Sequence, residues 1–195
     1  TCAARGDGSL WCWGANFSAQ LGRGTIGAQD GTPADVVDLP LGASAIASGG
    51  THTCALATGG RVACWGYNSE GQLGRGTSGP EPASAPRDVR LPPEVTALSL
   101  GQSHACALRD QGRVSCWGAN YQGQAGQPNT GTAVQGVPRD VSGLTGLRAV
   151  SGGGSHSCAV TGGGGVKCWG DNNSGQVGRG STGGQYDVPQ DVSGL

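Results

Sequence analysis

With 195 residues, a net charge of −1 and one lysine against eleven arginines, the chain has no basic stripe to neutralise phosphates, so nucleic-acid binding lacks electrostatic support. No apolar run approaches the roughly 18 residues that span a bilayer, which argues against membrane insertion. Glycine is very frequent at 40 residues, but it recurs at fixed places, which points to repeated turns and away from low complexity.

Self-similarity is the dominant signal. Cys2, Cys54, Cys106 and Cys158 recur every 52 residues, as do Cys12, Cys64, Cys116 and Cys168. Trp13, Trp65, Trp117 and Trp169 keep the same spacing, each followed by Gly. The chain is divided into units 1–40, 41–92, 93–144 and 145–195, read as one repeat domain. The first unit starts mid-pattern at Thr1-Cys2 and lacks the counterpart of Thr145–Ser157, the leading strand of the unit. The chain is therefore read as a fragment or a processed product, joined in its parent to further blades and unstable as an open arc on its own.

Within a unit the elements follow in order. A first β-like run is clearest at Val95–Leu100 and Leu147–Ser151. Two short alternating runs then flank a turn, as in Cys54-Ala-Leu-Ala-Thr-Gly-Gly-Arg-Val-Ala-Cys64-Trp65, a hairpin signal. A constant Trp-Gly-x-Asn stretch follows, with Asn16, Asn68, Asn120 and Asn172, and then a Gln-x-Gly turn. A Pro-led run such as Val137–Val141 closes the unit. About four short antiparallel strands per unit at this period predict an all-β fold, a β-propeller of about four blades.

The hairpin turns end on Gly8, Gly60, Gly112 and Gly164. A three-residue loop of a type I turn plus one left-handed residue demands Gly there. That register sets Ala55 opposite Ala63, Leu56 opposite Val62, and Cys54 opposite Cys64. The cysteines fall on a non-hydrogen-bonded pair, where Cα atoms lie about 4.5 Å apart, at the short end of disulfide geometry. Repeat and register together select Cys2–Cys12, Cys54–Cys64, Cys106–Cys116 and Cys158–Cys168. Two other readings compete: buried free thiols, and a zinc set of His52, Cys54 and Cys64. Nine residues between the cysteines do not match zinc-site spacing. Ala55, Ala63 and Trp65 share one face of the sheet, and Leu56, Val62 and the cystine share the other.

His52, His104 and His156 precede a cysteine by two. They are expected to bond loop backbone and to lie far from one another, and no recurring carboxylate stands behind them for a triad. No catalytic residue, metal or cofactor is assigned, and the chain is not read as an enzyme. Gly152–Gly154 and Gly162–Gly165 are turns that lack the phosphate-loop pattern. Asn16-Phe-Ser18 and Asn172-Asn-Ser174 match a glycosylation sequon, yet each lies within the recurring turn.

The composite of Ser48-Gly-Gly-Thr-His52-Thr-Cys-Ala-Leu with Gly60-Arg-Val-Ala-Cys-Trp65-Gly-Tyr-Asn68-Ser-Glu-Gly-Gln72-Leu-Gly74 resembles the repeat of the regulator of chromosome condensation family. The resemblance covers the whole chain, four times over. It implies blades of a seven-bladed ring. Relatives include a nuclear exchange factor for a small GTPase that also binds chromatin, a bacterial secreted inhibitor of β-lactamase, and modules fused to larger proteins. No motif carries the exchange-factor residues over one by one, and no basic tail is present. The cysteine pair in each blade points to an oxidising compartment, and so to a secreted or cell-surface bacterial relative.

Positions that vary inside the fixed frame are the binding candidates. Directly after Trp-Gly stand Ala15, Tyr67, Ala119 and Asp171; two residues further stand Phe17, Ser69, Tyr121 and Asn173. A scaffold that keeps its frame and varies its turns presents a binding surface, and aromatics are apt anchors. Phe17, Tyr67, Glu70, Tyr121 and Asp171 are therefore assigned to partner binding. The function expected is a non-catalytic, extracellular, protein-binding propeller. The alternatives are a propeller module of a larger enzyme or surface protein, and an intracellular exchange-factor or chromatin-binding type.

Overall fold

Alternation of small and apolar residues along runs such as His52-Thr-Cys-Ala-Leu-Ala57 suits a strand buried on both faces, and this is how the chain folds. The computed structural model describes residues 1–39, 42–92, 94–128 and 133–195. The unit junctions expected at 40/41 and at 93 lie outside the described residues.

Fifteen strands among the described residues form four antiparallel sheets. The first sheet has three strands, β1 (Cys2–Ala4), β2 (Leu10–Gly14) and β3 (Asp30–Asp35). The second has four, β4 (Ala43–Ser48), β5 (His52–Ala57), β6 (Val62–Asn68) and β7 (Gly79–Asp88), paired in chain order. The third repeats this with β8 (Val95–Leu100), β9 (His104–Arg109), β10 (Arg113–Ala119) and β11 (Val134–Asp140). The fourth consists of β12 (Leu147–Gly152), β13 (His156–Thr161), β14 (Val166–Asp171) and β15 (Gln185–Asp191). A single 3-10 turn, Asp110–Gly112, is the helical element among the described residues, and no helix is long and apolar enough to cross a membrane. Sheets of this size stacked face on face are propeller blades.

The hairpin register places Cys54 opposite Cys64, Ala55 opposite Ala63 and Leu56 opposite Val62, with equivalent pairs in the other blades. Ala57 N donates to Arg61 O at 2.8 Å, which fixes the cysteines, three steps inward, on a non-hydrogen-bonded pair. The structure joins Cys2–Cys12, Cys54–Cys64, Cys106–Cys116 and Cys158–Cys168, each with Cα atoms 4.1 Å apart. Turn geometry is more varied than the sequence pattern implies. Gly8, Gly60, Gly112 and Gly164 are all left-handed, but so are the preceding residues Gly59 and Gln111 in blades two and three.

The two faces of each sheet are complementary. The cystine face of one blade meets the Ala/Trp face of the next. Leu10 and Cys12 pack with Ala55 and Trp65; Cys54, Leu56, Val62 and Cys64 pack with Ala105, Ala107 and Trp117; Cys106, Leu108, Val114 and Cys116 pack with Ala159 and Trp169. Each buried indole also bridges the joint. Trp65, Trp117 and Trp169 donate Nε1 to the carbonyls of Gln20, Gln72 and Gln124 at 3.0, 2.9 and 3.0 Å. A carbonyl satisfied by the neighbouring blade ties the spacing of blades to the repeat.

Every blade carries a register shift just after its cystine, between Cys12 and Gly14, Cys64 and Gly66, Cys116 and Gly118, and Cys168 and Gly170. Gly66 has φ +104°, and a Cβ there would stand 2.6 Å from Thr51 O and 2.8 Å from His52 Cα. Two steps along the inner strand face four along the outer one, as Cys64–Gly66 face Ala83–Arg87, so the bulge lies on the outer strand. The Gly of Trp-Gly is required for its left-handed φ and the close approach of Thr51 and His52.

Candidate protein-binding face

The variable turn is held by its constant residues. Asn68 Oδ1 accepts from Leu73 N at 3.1 Å, and its Nδ2 donates to Thr77 O at 3.0 Å. Asn16 and Asn172 repeat both bonds with the corresponding partners, and Asn120 repeats the first while its Nδ2 donates to Gln127 O, two residues nearer along the chain. Gln72 Oε1 accepts from Glu70 N at 2.9 Å, and Gln20, Gln124 and Gln176 do likewise for residues 18, 122 and 174. These buried and half-buried amides fix the loop, so the residues between them are free to differ. They also account for the sequons: Asn16 and Asn172 are buried and engaged within their own turns.

The structure gathers some of the candidates and not others. Glu70 of blade two and Tyr121 of blade three meet across the joint, with Tyr121 Oη donating to Glu70 Oε2 at 2.6 Å. Glu70 Oε1 takes a second hydrogen bond, from Ser69 Oγ at 3.0 Å. They line an open groove of about 230 Å³ with Gln102, Ser103, Ala119, Gln124, Gly154 and Ser155. Accepting the hydroxyl, the Glu70 carboxylate pushes the Tyr121 phenol above its ordinary range, and partial burial and charge add to this. Phe17, Tyr67 and Asp171 do not line this groove. Phe17 stands 66% exposed on the first blade. Asp171 is spent on its own turn, accepting from Asn173 N and Gln176 Nε2 at 3.0 Å each.

The pattern within one unit did not reveal Gln102, Ser103, Gly154 and Ser155. They belong to the β8–β9 and β12–β13 turns: within blade three Ala119 N donates to Ser103 O at 2.9 Å, and across the joint to blade four Gln102 N donates to Gly154 O at 3.2 Å, so Gly154 and Ser155 reach the groove through blade stacking. A signal was present, since Gly50, Gln102 and Gly154 vary two residues before each His. Larger open hollows, about 460 and 510 Å³, lie along β11 and beside Gly175–Thr182, and neither gathers aromatic or acidic side chains.

The histidines correct one expectation. They neighbour one another across blades, close enough for charge on one to disfavour charge on the next. Burial first, and then His104, lowers His52 to about 3; burial first, and then His156, lowers His104 to about 4. The bond from His104 Nε2 runs to Ser157 Oγ of the following blade at 2.9 Å rather than to loop backbone, and both ring nitrogens of His52 are buried without a partner. The rings fill the space that glycine leaves open. A Cβ on Gly101 would lie 2.1 Å from His104 Cε1 and 2.4 Å from Gly153 O of the next blade. Cys54 and Cys64 are bonded to each other, so the zinc set reduces to a lone His52. Among the described residues no group of three or more His, Cys, Asp or Glu side chains gathers to hold a metal ion.

Known proteins share both the repeat and its stacking. A model described as Regulator of chromosome condensation (RCC1) repeat matches residues 7–56, 59–108 and 111–160, and a second of the same description matches 43–72, 95–124 and 147–176. The RCC1 domain-containing protein RUG3, mitochondrial, of Arabidopsis thaliana is 33% identical over 190 residues, covering 91% of this chain and 41% of that protein. The probable E3 ubiquitin-protein ligase HERC3 of Homo sapiens is 34% identical over 188 residues, covering 92% of this chain and 17% of the relative. The crystal structure of Kap60 bound to yeast RCC1 (Prp20) superposes with a TM-score of 0.88 at 23% identity, over 98% of this chain and 46% of the other, and shows the same fold. The chain thus spans less than half the length of each of these relatives. With consecutive repeats matched from residue 7 to residue 160, each built on the same stapled hairpin, the chain belongs to the regulator of chromosome condensation (RCC1) repeat family.

Proposed function

We propose that this chain is a non-catalytic scaffold that binds a protein partner through the Trp-Gly-x-Asn end of its blades, in an extracellular or cell-surface setting. One observation carries the reading: inside four turns fixed by recurring Asn and Gln clamps, the variable residues Glu70, half-buried, and Tyr121, exposed, converge on one groove. Four cystines suit an oxidising compartment. A protein partner also fits the RCC1 structure named for its complex with Kap60. A second reading, a propeller module within a longer enzyme, draws on HERC3, a ligase of which the matched region is 17%.

The test uses the chain immobilised and exposed to the medium of the cells that make it. Proteins retained by the wild type should be lost from a Glu70→Ala/Tyr121→Ala variant. They should be kept by Asp110→Ala, an exposed position at the opposite, hairpin end. Equal retention by all three would place binding elsewhere.

A further inference from the structure

Resting on that reading, we propose that the Glu70–Tyr121 groove receives a cationic side chain of the partner, arginine in preference to lysine. Charge distribution is the first argument. The turns at this end of the blades span 15–20, 67–72, 119–124 and 171–176, together with 49–51, 101–103 and 153–155. They contain two carboxylates, Glu70 and Asp171, and no Lys or Arg. Asp171 is bound within its own turn, which leaves Glu70 as the charge that these turns themselves offer, while the Asp187 carboxylate of β15 stands against Gly123 of the blade-three turn. Among the described residues, Glu70 forms no salt bridge; the ion pairs lie toward the hairpin end and the outer strands, as in Arg61–Asp88, Arg109–Glu94 and Lys167–Asp191.

Shape is the second argument. At the position that holds Tyr67 in blade two and Asp171 in blade four, blade three has Ala119. The small side chain opens the groove floor between Glu70 and Ser155. Tyr121 remains 50% exposed while its hydroxyl is tied to Glu70, so its ring stands as a wall beside the carboxylate. A partner that covers the groove strips water from Glu70, and an apolar or anionic partner would leave that charge unpaired at high cost. A guanidinium answers both features, pairing with the carboxylate while its plane lies against the phenol ring.

The probe is the blocked peptide acetyl-Gly-Ser-Arg-Ser-Gly-amide, with analogues carrying lysine or the neutral isostere citrulline at the centre. Titrated into the isotopically labelled chain, the arginine peptide should shift the amides of Glu70, Gln102, Ser103, Tyr121 and Ser155. The lysine peptide should bind more weakly, and citrulline at least tenfold more weakly. Glu70→Gln should lose at least tenfold in affinity with an unchanged melting temperature. Ala119→Tyr, which copies the blade-two residue, should block the site. Citrulline binding as well as arginine, or Glu70→Gln binding normally, overturns the inference. The two readings separate cleanly: if the Glu70→Ala/Tyr121→Ala variant loses its partner while arginine and citrulline peptides behave alike, the face is right and the cation is wrong. If partner retention also persists, the binding face itself fails.

Discussion

Trp117→Ala should lower the unfolding free energy by about 3–5 kcal/mol, the range for truncating a buried large aromatic. Trp117 is fully buried in the joint between blades two and three, against Leu56, Val62, Leu73 and the Cys54–Cys64 cystine. Removing it opens a cavity between the two sheets. It also strips the carbonyl of Gln72 of its indole donor, a further cost because a buried acceptor left unpaired is destabilising. Trp13 occupies the same position in the first blade but is only half-buried. Its replacement by alanine should cost less than half as much. Urea unfolding of the two variants checks the pair. Equal losses would mean that the indole acts within its own sheet and not as the joint between blades.

Acid should weaken the fold from about pH 6.5 downward, well before the carboxylates take up protons. His52 and His104 are buried, and burial holds them near 3 and 4, below the 6.5 of a free imidazole. Between those limits the unfolded chain binds protons that the folded chain refuses, so folding stability falls as pH falls. Each histidine contributes up to about 1.4 kcal/mol per pH unit within that window. By pH 4.5 the two together remove on the order of 3–5 kcal/mol, a large fraction of the stability of an ordinary domain. Asp7 and Asp30 are held below 3.8, mainly by hydrogen bonds from Ser9 and Thr32. Their stabilisation is present above that value and is lost only as pH falls below it. Urea midpoints measured from pH 7.5 to 4.5 should therefore slope downward, and a His52→Gln/His104→Gln variant should flatten the slope. A slope unchanged in that variant would assign the acid sensitivity to other groups.

Much of this fold was legible because it is written four times. The turn glycine set the register, the register faced Cys54 with Cys64, and the alternation assigned Leu56 and Trp65 to opposite faces that stack as expected. Within a unit, the bulge of β7 opposite Cys64–Gly66 stayed hidden, because no alternation pattern marks the extra residues of the outer strand. The rest of what stayed hidden depends on contacts between units. His104 finds its partner, Ser157, one blade further on, so a reading within the unit assigned the bond to nearby loop backbone. The groove has the same origin. Glu70 and Tyr121 stood out as variable residues, but their meeting, and the contributions of Gly154 and Ser155, follow from stacking blade two on three and three on four.

The claim that the frame is fixed so that one end can bind is tested most directly by site-specific photo-crosslinking. A photoreactive amino acid is placed in turn at 17, 69, 121 and 173 on the variable turns and at 58, 110 and 162 on the hairpin turns, and each chain is irradiated in the medium of the cells that make it. A discrete protein adduct is expected from position 121, a related one from 69, and none from the hairpin positions. Adducts from 58, 110 or 162 with none from 69 or 121 would contradict it.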